Sequence, residues 1–297
     1  MADRMKVIVA YDGSESADAA IDYLRSAGLP GGAWIKVLSV VESWLPPASG
    51  LEIAEHVDHD DEYTALAMRA VTRLRSMNPE WEVDVELSAG SPATAIIEQA
   101  DEWKPDLIVV GSHGRSAAGR FFFGSVSQKV LHEAHCSVRV SRGRVEEPDT
   151  PVRLLVAVDG SKGSEAAVRS VAARDWPRGS EARVVNAAWI APSSAFSSAS
   201  GQFINWFIAE NARIKVAVDA AVARLDAAGL KSEAIVKEGS PKEVLIGEAE
   251  SWGADCIFLG ARGMGRIERF LIGSVSSAVA ARAHCSVEVA REQKQAA

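Results

Sequence analysis

One stretch of this chain occurs twice, and the duplication decides the size of the folding unit. Gly111-Ser-His-Gly-Arg-Ser-Ala-Ala-Gly-Arg-Phe-Phe-Phe-Gly-Ser-Val-Ser127 returns as Gly260-Ala-Arg-Gly-Met-Gly-Arg-Ile-Glu-Arg-Phe-Leu-Ile-Gly-Ser-Val-Ser276. Asp12-Gly13-Ser14 returns as Asp159-Gly160-Ser161, Gly90-Ser91-Pro92 as Gly239-Ser240-Pro241, and His135-Cys136-Ser137-Val138 as His284-Cys285-Ser286-Val287. The offset is 147 residues for the first pair (159 − 12) and 149 for the second (239 − 90), so the copies differ by small loop insertions. A period this long means two whole domains rather than a solenoid, and 297 residues hold two domains of about 150.

Within one copy, short apolar runs alternate with amphipathic segments. Val7–Ala10, Trp34–Val41, Val83–Leu87, Leu107–Val110 and Ser137–Val140 read as strands. Ser14 or Ser16 can cap a helix that aligns Ala17, Ala20, Ile21 and Leu24 on one face. Asp60, Asp61 and Glu62 suit the start of the next helix, and Pro92 suits a first helical turn. The strands are continuously apolar rather than alternating, which indicates a parallel sheet covered on both faces. The expected class is α/β: two doubly wound, five-stranded, parallel-sheet domains of Rossmann-like or flavodoxin-like type in tandem. Their boundaries read as a first domain over 1–142, a linker over 143–151, a second domain over 152–291 and a tail over 292–297.

The formal charge of −8 argues against a nucleic-acid partner, because no basic stretch could neutralise a row of phosphates. No apolar run approaches the roughly 18 residues that would span a membrane. The N-terminus runs into a strand without the apolar core of a signal peptide. Three cysteines without a CxxC pair fit a reducing, cytoplasmic setting. The run from His56 to Glu62 looks superficially like metal ligands, but an acidic helix start explains it better, and no metal site is expected.

A glycine-rich turn between a strand and a helix aims several backbone N–H groups at one point, where the helix dipole adds positive partial charge. That is chemistry for an anion such as a phosphate chain. In a doubly wound sheet, Asp12 after the first strand would face Gly111 after the fourth if those strands are neighbours. A carboxylate there suits a ribose hydroxyl or a base N–H, and Val40 at the end of the second strand could floor a base. Ser125 and Ser127 can cap the following helix, touch phosphate, or both. Asp12 and Asp159 can act as helix caps as well.

The Asp-Gly-Ser turn, the G-x2-G-x9-G-S-V-S spacing and the closing His-Cys-x-Val together resemble the universal stress protein family, as a tandem pair covering almost the whole chain. The glycine spacing is similar to that of the family's ATP-binding branch. The resemblance implies a Rossmann-like fold of the adenine nucleotide alpha hydrolase-like kind. It implies that Asp12 and Val40 contact adenosine, and that Gly111, His113, Gly114, Arg115, Gly124, Ser125, Val126 and Ser127 wrap ribose and phosphates. The matching positions in the second half are Asp159, Ala187, Gly260, Arg262, Gly263, Met264, Gly273, Ser274, Val275 and Ser276. Ser137 and Ser286 stand where the family often has proline, which touches only the last strand.

The implied ligand is ATP, with any Mg2+ carried by its phosphates; AMP and ADP suit a cradle that recognises phosphate without counting it. Neither glycine stretch contains lysine, so neither is a Walker A loop, and fast phosphoryl transfer has little support. The expected role is a nucleotide-dependent stress-response or regulatory module with little or no catalysis. A slow ATPase and a nucleotide-free interaction scaffold are the alternatives. Family resemblance also implies an internal pseudo-dimer or a homodimer of tandem chains. Phe203–Ile208, without counterpart in the first half, is the candidate lid or protein-partner patch.

Overall fold

The computed structural model describes residues 4–41, 56–114, 123–142, 149–188, 201–263 and 272–292. The chain divides into two compact units between Asp149 and Thr150. In the first, β1 (Lys6–Ala10) leads to α1 (Glu15–Asp22) and a 3-10 turn at Tyr23–Ser26. There follow β2 (Trp34–Val41), α2 (His56–Met77), β3 (Glu82–Ala89), α3 (Pro92–Trp103), β4 (Leu107–Gly111), α4 (Ser125–Glu133) and β5 (Ser137–Ser141). All pairings are parallel, in the order β3-β2-β1-β4-β5. The second unit repeats this with β6 (Arg153–Ala157), α5 (Lys162–Ala172), β7 (Glu181–Ala188), α6 (Gly201–Ala227), β8 (Lys231–Glu238), α7 (Pro241–Trp252), β9 (Cys256–Gly260), α8 (Ser274–Arg282) and β10 (Ser286–Ala290). Its order is β8-β7-β6-β9-β10.

Each unit is thus a Rossmann-like α/β domain. Val7, Val9, Ile35, Val37 and Val109 on the sheet bury themselves against Ala17, Ile21 and Leu24 of the α1 region and Ala70, Val71 and Leu74 of α2. In the second unit Leu154, Val156, Val184 and Phe258 pack in the same way on Val168, Val171, Val218 and Leu225. Burying a side chain of this size contributes about 1.5–3 kcal/mol. Two details refine the reading of the residues. Asp60 and Asp61 lie inside α2, which starts at His56, one turn before the acidic cluster. Between the two candidate serines, Ser14 caps α1, accepting the Ala17 N–H at 3.2 Å.

The repeat reaches the far end of the sheet, where α3 and α7 finish on Trp103 and Trp252. Lys6 donates to the Trp103 carbonyl at 3.3 Å and Arg153 to the Trp252 carbonyl at 2.9 Å, placing a cation at each helix C-terminus. The second unit adds a charge cluster there. Glu248 on α7, 3% exposed, binds Arg183 at 2.8 Å and also pairs with Lys237, while Arg183 stacks 4.4 Å from the Trp252 ring. Burial alone would raise the Glu248 pKa, but hydrogen bonds and charge from Lys237 and Arg183 hold it below the ordinary 4.5. A carboxyl whose folded pKa is depressed contributes stability above its unfolded pKa and loses it as pH falls through the folded value. Glu248→Gln installs the amide that the first unit carries at Gln99. It is expected to cost about 2 kcal/mol near neutral pH and progressively less as carboxyls protonate in acid. Urea unfolding at about pH 7 and about pH 3.5 checks this, and a cost that does not shrink in acid contradicts it.

Candidate functional site

In both units the strand order reverses beside the first strand: the chain runs outwards from β1 through β2 and β3, then returns to β4 on the other side. In an open parallel sheet the usual ligand position is the crevice outside the carboxyl ends of the strands at such a reversal, here β1 with β4 and β6 with β9. Val7 and Val9 pair with Leu107 and Val109, so the strand-neighbour condition on Asp12 and Gly111 holds.

On the β1 side, Asp12 Oδ1 accepts the Ser14 N–H at 3.0 Å, and Gly13 takes a left-handed φ of +74°. Capping belongs to the serine, and the aspartate shapes the turn before it. Its Oδ2 faces the glycine loop, since a Cβ on Gly114 would lie 3.0 Å away. On the β4 side, a Cβ on Gly111 would lie 2.5 Å from Ser16 Oγ, which itself donates to the His113 carbonyl. Gly124 N–H donates to the Ser112 carbonyl at 2.8 Å and Ser127 Oγ to the Gly111 carbonyl at 2.7 Å. These bonds tie the loop's two ends together and seat α4 against the end of β4.

The second unit repeats the arrangement. Asp159 Oδ1 accepts the Ser161 N–H at 2.9 Å, Gly160 has φ +76°, and a Cβ on Gly263 would lie 2.5 Å from Asp159 Oδ2. Gly273 N–H donates to the Ala261 carbonyl at 2.7 Å and Ser276 Oγ to the Gly260 carbonyl at 2.7 Å. One anchor is exchanged: Gly163 occupies the place of Ser16, and Ser161 Oγ donates to the Arg262 carbonyl at 3.3 Å. A Cβ on Gly163 would run into that same carbonyl, so this arrangement needs the smaller residue.

Gly111, Gly114, Gly124, Gly260, Gly263 and Gly273 all lack a left-handed φ; the two helix-capping ones sit at −66° and −68°. Backbone strain therefore does not require glycine at these positions, whereas close approach does. Gly124 and Gly273 cap α4 and α8 without any side-chain capping bond, and neither helix has an acidic residue in its first turn. Ser125 and Ser127 are thus not the caps. By contrast α1 and α5 have serine caps and carry Glu15, Asp18 and Glu165 in their first turns. The positive ends of α4 and α8 meet no such carboxylate of their own, which suits an anion from outside.

At the carboxyl end of β2, half-buried Val40 lies two residues beyond Leu38, the partner of Ala10. Ala187 holds the same place in β7. Polar neighbours that the motifs do not reveal pin these turns. Ser39 Oγ donates to the Tyr11 carbonyl at 2.8 Å, and Asn186 Nδ2 to the Val158 carbonyl at 2.7 Å. Burial, reinforced by a 2.6 Å hydrogen bond to Asp18, pushes the Tyr11 pKa up to about 12, so the phenol stays neutral. No motif marks Arg213 of α6 either; its Nη1 donates to the Gly160 carbonyl at 2.5 Å.

Arg115 and Met264 lie outside the described residues, as do the side chains of residues 56–61. Val126, Ser274 and Val275 occupy the first turns of α4 and α8. The Phe203–Ile208 stretch lies in the opening turns of α6, with Trp206 57% and Ile208 60% exposed. Cys136, Cys256 and Cys285 are buried thiols. Among the described residues no cluster of three or more His, Cys, Asp or Glu is placed to hold a metal ion, and no helix is long and apolar enough to cross a membrane.

Comparison with known proteins bears on family and fold. Residues 4–142 and 152–291 each match the model of the universal stress protein family. A universal stress protein of Mycobacterium tuberculosis is 27% identical over 299 residues, spanning 96% of this chain and 97% of that relative. One from Thermus aquaticus is 35% identical over 147 residues, 46% of this chain and 97% of its own length. Among solved structures, a universal stress protein from Archaeoglobus fulgidus shares the fold with a TM-score of 0.67 at 20% identity, covering 96% of each chain.

Proposed function

The chain belongs to the universal stress protein family as a tandem of two copies, and from that premise we propose that each half binds an adenine nucleotide, ATP foremost, as a nucleotide-dependent regulatory module. The observation that carries the reading is the close approach made twice between a strand-end aspartate and a loop glycine, Asp12 to Gly114 and Asp159 to Gly263, with no room for a Cβ between them. Beside each lies a helix start with no capping side chain and no acidic first turn. In this reading α4 and α8 direct their first-turn N–H groups at phosphate. Asp12 and Asp159 accept a hydrogen bond from the nucleoside, and Val40 and Ala187 pack against its base. Lacking a lysine in either glycine stretch, the site holds phosphate through backbone N–H groups and is not built for rapid phosphoryl transfer.

A ligand that binds only the folded state stabilises it by about 2.7 kcal/mol at a hundredfold excess over Kd. For domains of this size that is a rise in Tm of roughly 5–10 °C. Millimolar ATP is expected to produce such a shift, and mass spectrometry of heat-released small molecules is expected to find adenine nucleotide approaching two per chain. No bound nucleotide together with no shift on adding ATP would overturn the proposal. Accumulation of ADP over minutes would instead favour a slow ATPase.

A further inference from the structure

The two crevices differ at the nucleoside end. In the second unit Arg213 reaches from α6 to the Asp159-Gly160 turn and donates to the Gly160 carbonyl at 2.5 Å. Glu210 clamps it from one turn earlier, accepting from Nε at 3.0 Å and Nη2 at 2.6 Å. A Cβ built on Gly160 would lie 2.8, 3.2 and 3.3 Å from Nη1, Cζ and Nη2. Those distances set the Nη1–Cζ–Nη2 side of the guanidinium against the turn. Hydrogen bonds to Glu210 and Gly160 engage its edge, and the side chain remains 44% exposed. Holding an arginine side chain this way, with three bonds fixing its plane, costs side-chain entropy, and the result is a rigid, planar, charged platform. At the corresponding positions of α2, residues 56–68, the first unit carries neither lysine nor arginine; its first cation on that helix is Arg69.

Resting on the nucleotide reading above, we propose that Arg213 is a base-side specificity residue of the second crevice only, on which the aromatic base of the nucleotide stacks. A guanidinium fixed in plane is suited to this because it is weakly hydrated and stacks on aromatic faces, which an ammonium does not. Since Asp159 with Gly160 forms the turn facing the glycine loop, the platform flanks the carboxylate that would hold the nucleoside. The second half would therefore demand a base, whereas the first would depend more on the phosphate chain.

The test is isothermal titration of full-length chains with ATP and, separately, with inorganic triphosphate, which has no base. In a Gly114→Trp chain, where only the second crevice is open, adding Arg213→Lys keeps the charge and removes the plane. ATP affinity is expected to fall about tenfold, the size of one lost base stack, while triphosphate affinity and the unfolding midpoint stay unchanged. In a Gly263→Trp chain, where only the first crevice is open, the same substitution is expected to leave ATP affinity unaltered. Undiminished ATP affinity in the first background, or a parallel loss of ATP and triphosphate, would overturn the role given to Arg213. A Gly114→Trp chain with Arg213 intact that binds no ATP would instead overturn the underlying reading of the second crevice, and the Arg213 proposal with it.

Discussion

A chain carrying both Gly114→Trp and Gly263→Trp is expected to lose ATP affinity by at least about a hundredfold, some 2.7 kcal/mol, while keeping both domains folded. The two halves of that expectation rest on different observations. Loss of binding follows from space. A Cβ at residue 114 would lie 3.0 Å from Asp12 Oδ2, and one at residue 263 would lie 2.5 Å from Asp159 Oδ2. Anything larger than hydrogen therefore projects between the aspartate turn and the glycine loop, which is the volume a ligand must use. Retention of the fold follows from the backbone. Neither glycine has a left-handed φ, so a side chain meets no conformational penalty of the kind it would meet at Gly13 or Gly160. The nearest obstacle is a carboxylate that can rotate away. The single variants should each remove one site, halving the stoichiometry. Isothermal titration with ATP, beside circular dichroism of the same samples, checks both halves. Unchanged affinity in the folded double variant would remove the crevices from consideration as the binding sites.

Much of this architecture can be read from the residues because the constraints are local. Continuous apolar runs place the strands, and in a parallel sheet the carboxyl ends of β1 and β4 are where a ligand can approach. The glycines can be read because their spacing recurs, although spacing alone leaves open whether glycine serves a tight turn or a close approach. Only the structure separates those cases, through the absence of left-handed φ at the six described loop glycines. What escapes the sequence depends on contacts between distant segments. Ser39 and Asn186 are different residue types doing one job, so the repeat does not display them. Gly163 in place of Ser16 looks like drift until the Arg262 carbonyl is seen beside it. Arg213 sits on a helix 53 residues from its partner Gly160, in a stretch where the two halves differ in length, and no motif marks it. The start of α2 is hard to place because acidic residues favour any position in the first turn, and α2 has them in its second turn as well.

The largest effect on stability is expected at a pair the duplication hides. Glu288 of β10 is fully buried, Arg174 is 2% exposed, and the two form a direct ion pair. Ser170 Oγ donates to Glu288 Oε1 at 3.0 Å, and the Arg174 guanidinium lies 5.3 Å from the Phe258 ring and 5.9 Å from Trp176. The corresponding positions of the first unit are Arg139 for Glu288 and Ala27 for Arg174, so neither member recurs. A buried pair of this kind adds little over an apolar replacement of the same shape, because desolvation offsets the attraction. Removing one member is another matter, for it strands a charge in a medium that cannot solvate it. Glu288→Ala is therefore expected to destabilise the second unit by about 3–5 kcal/mol, since it takes the Glu288 carboxylate away from a guanidinium packed among aromatic rings. Arg174→Ala should cost a similar amount for the opposite charge. The double variant should cost less than the sum of the two, by about 2 kcal/mol, because the second substitution removes the charge that the first exposed. Urea unfolding of the four chains, followed by tryptophan fluorescence, measures that coupling directly, and Trp176 beside the pair reports the second unit. Additive costs would mean that the two side chains act on stability independently, and that packing rather than charge pairing holds β10 to the α5 region.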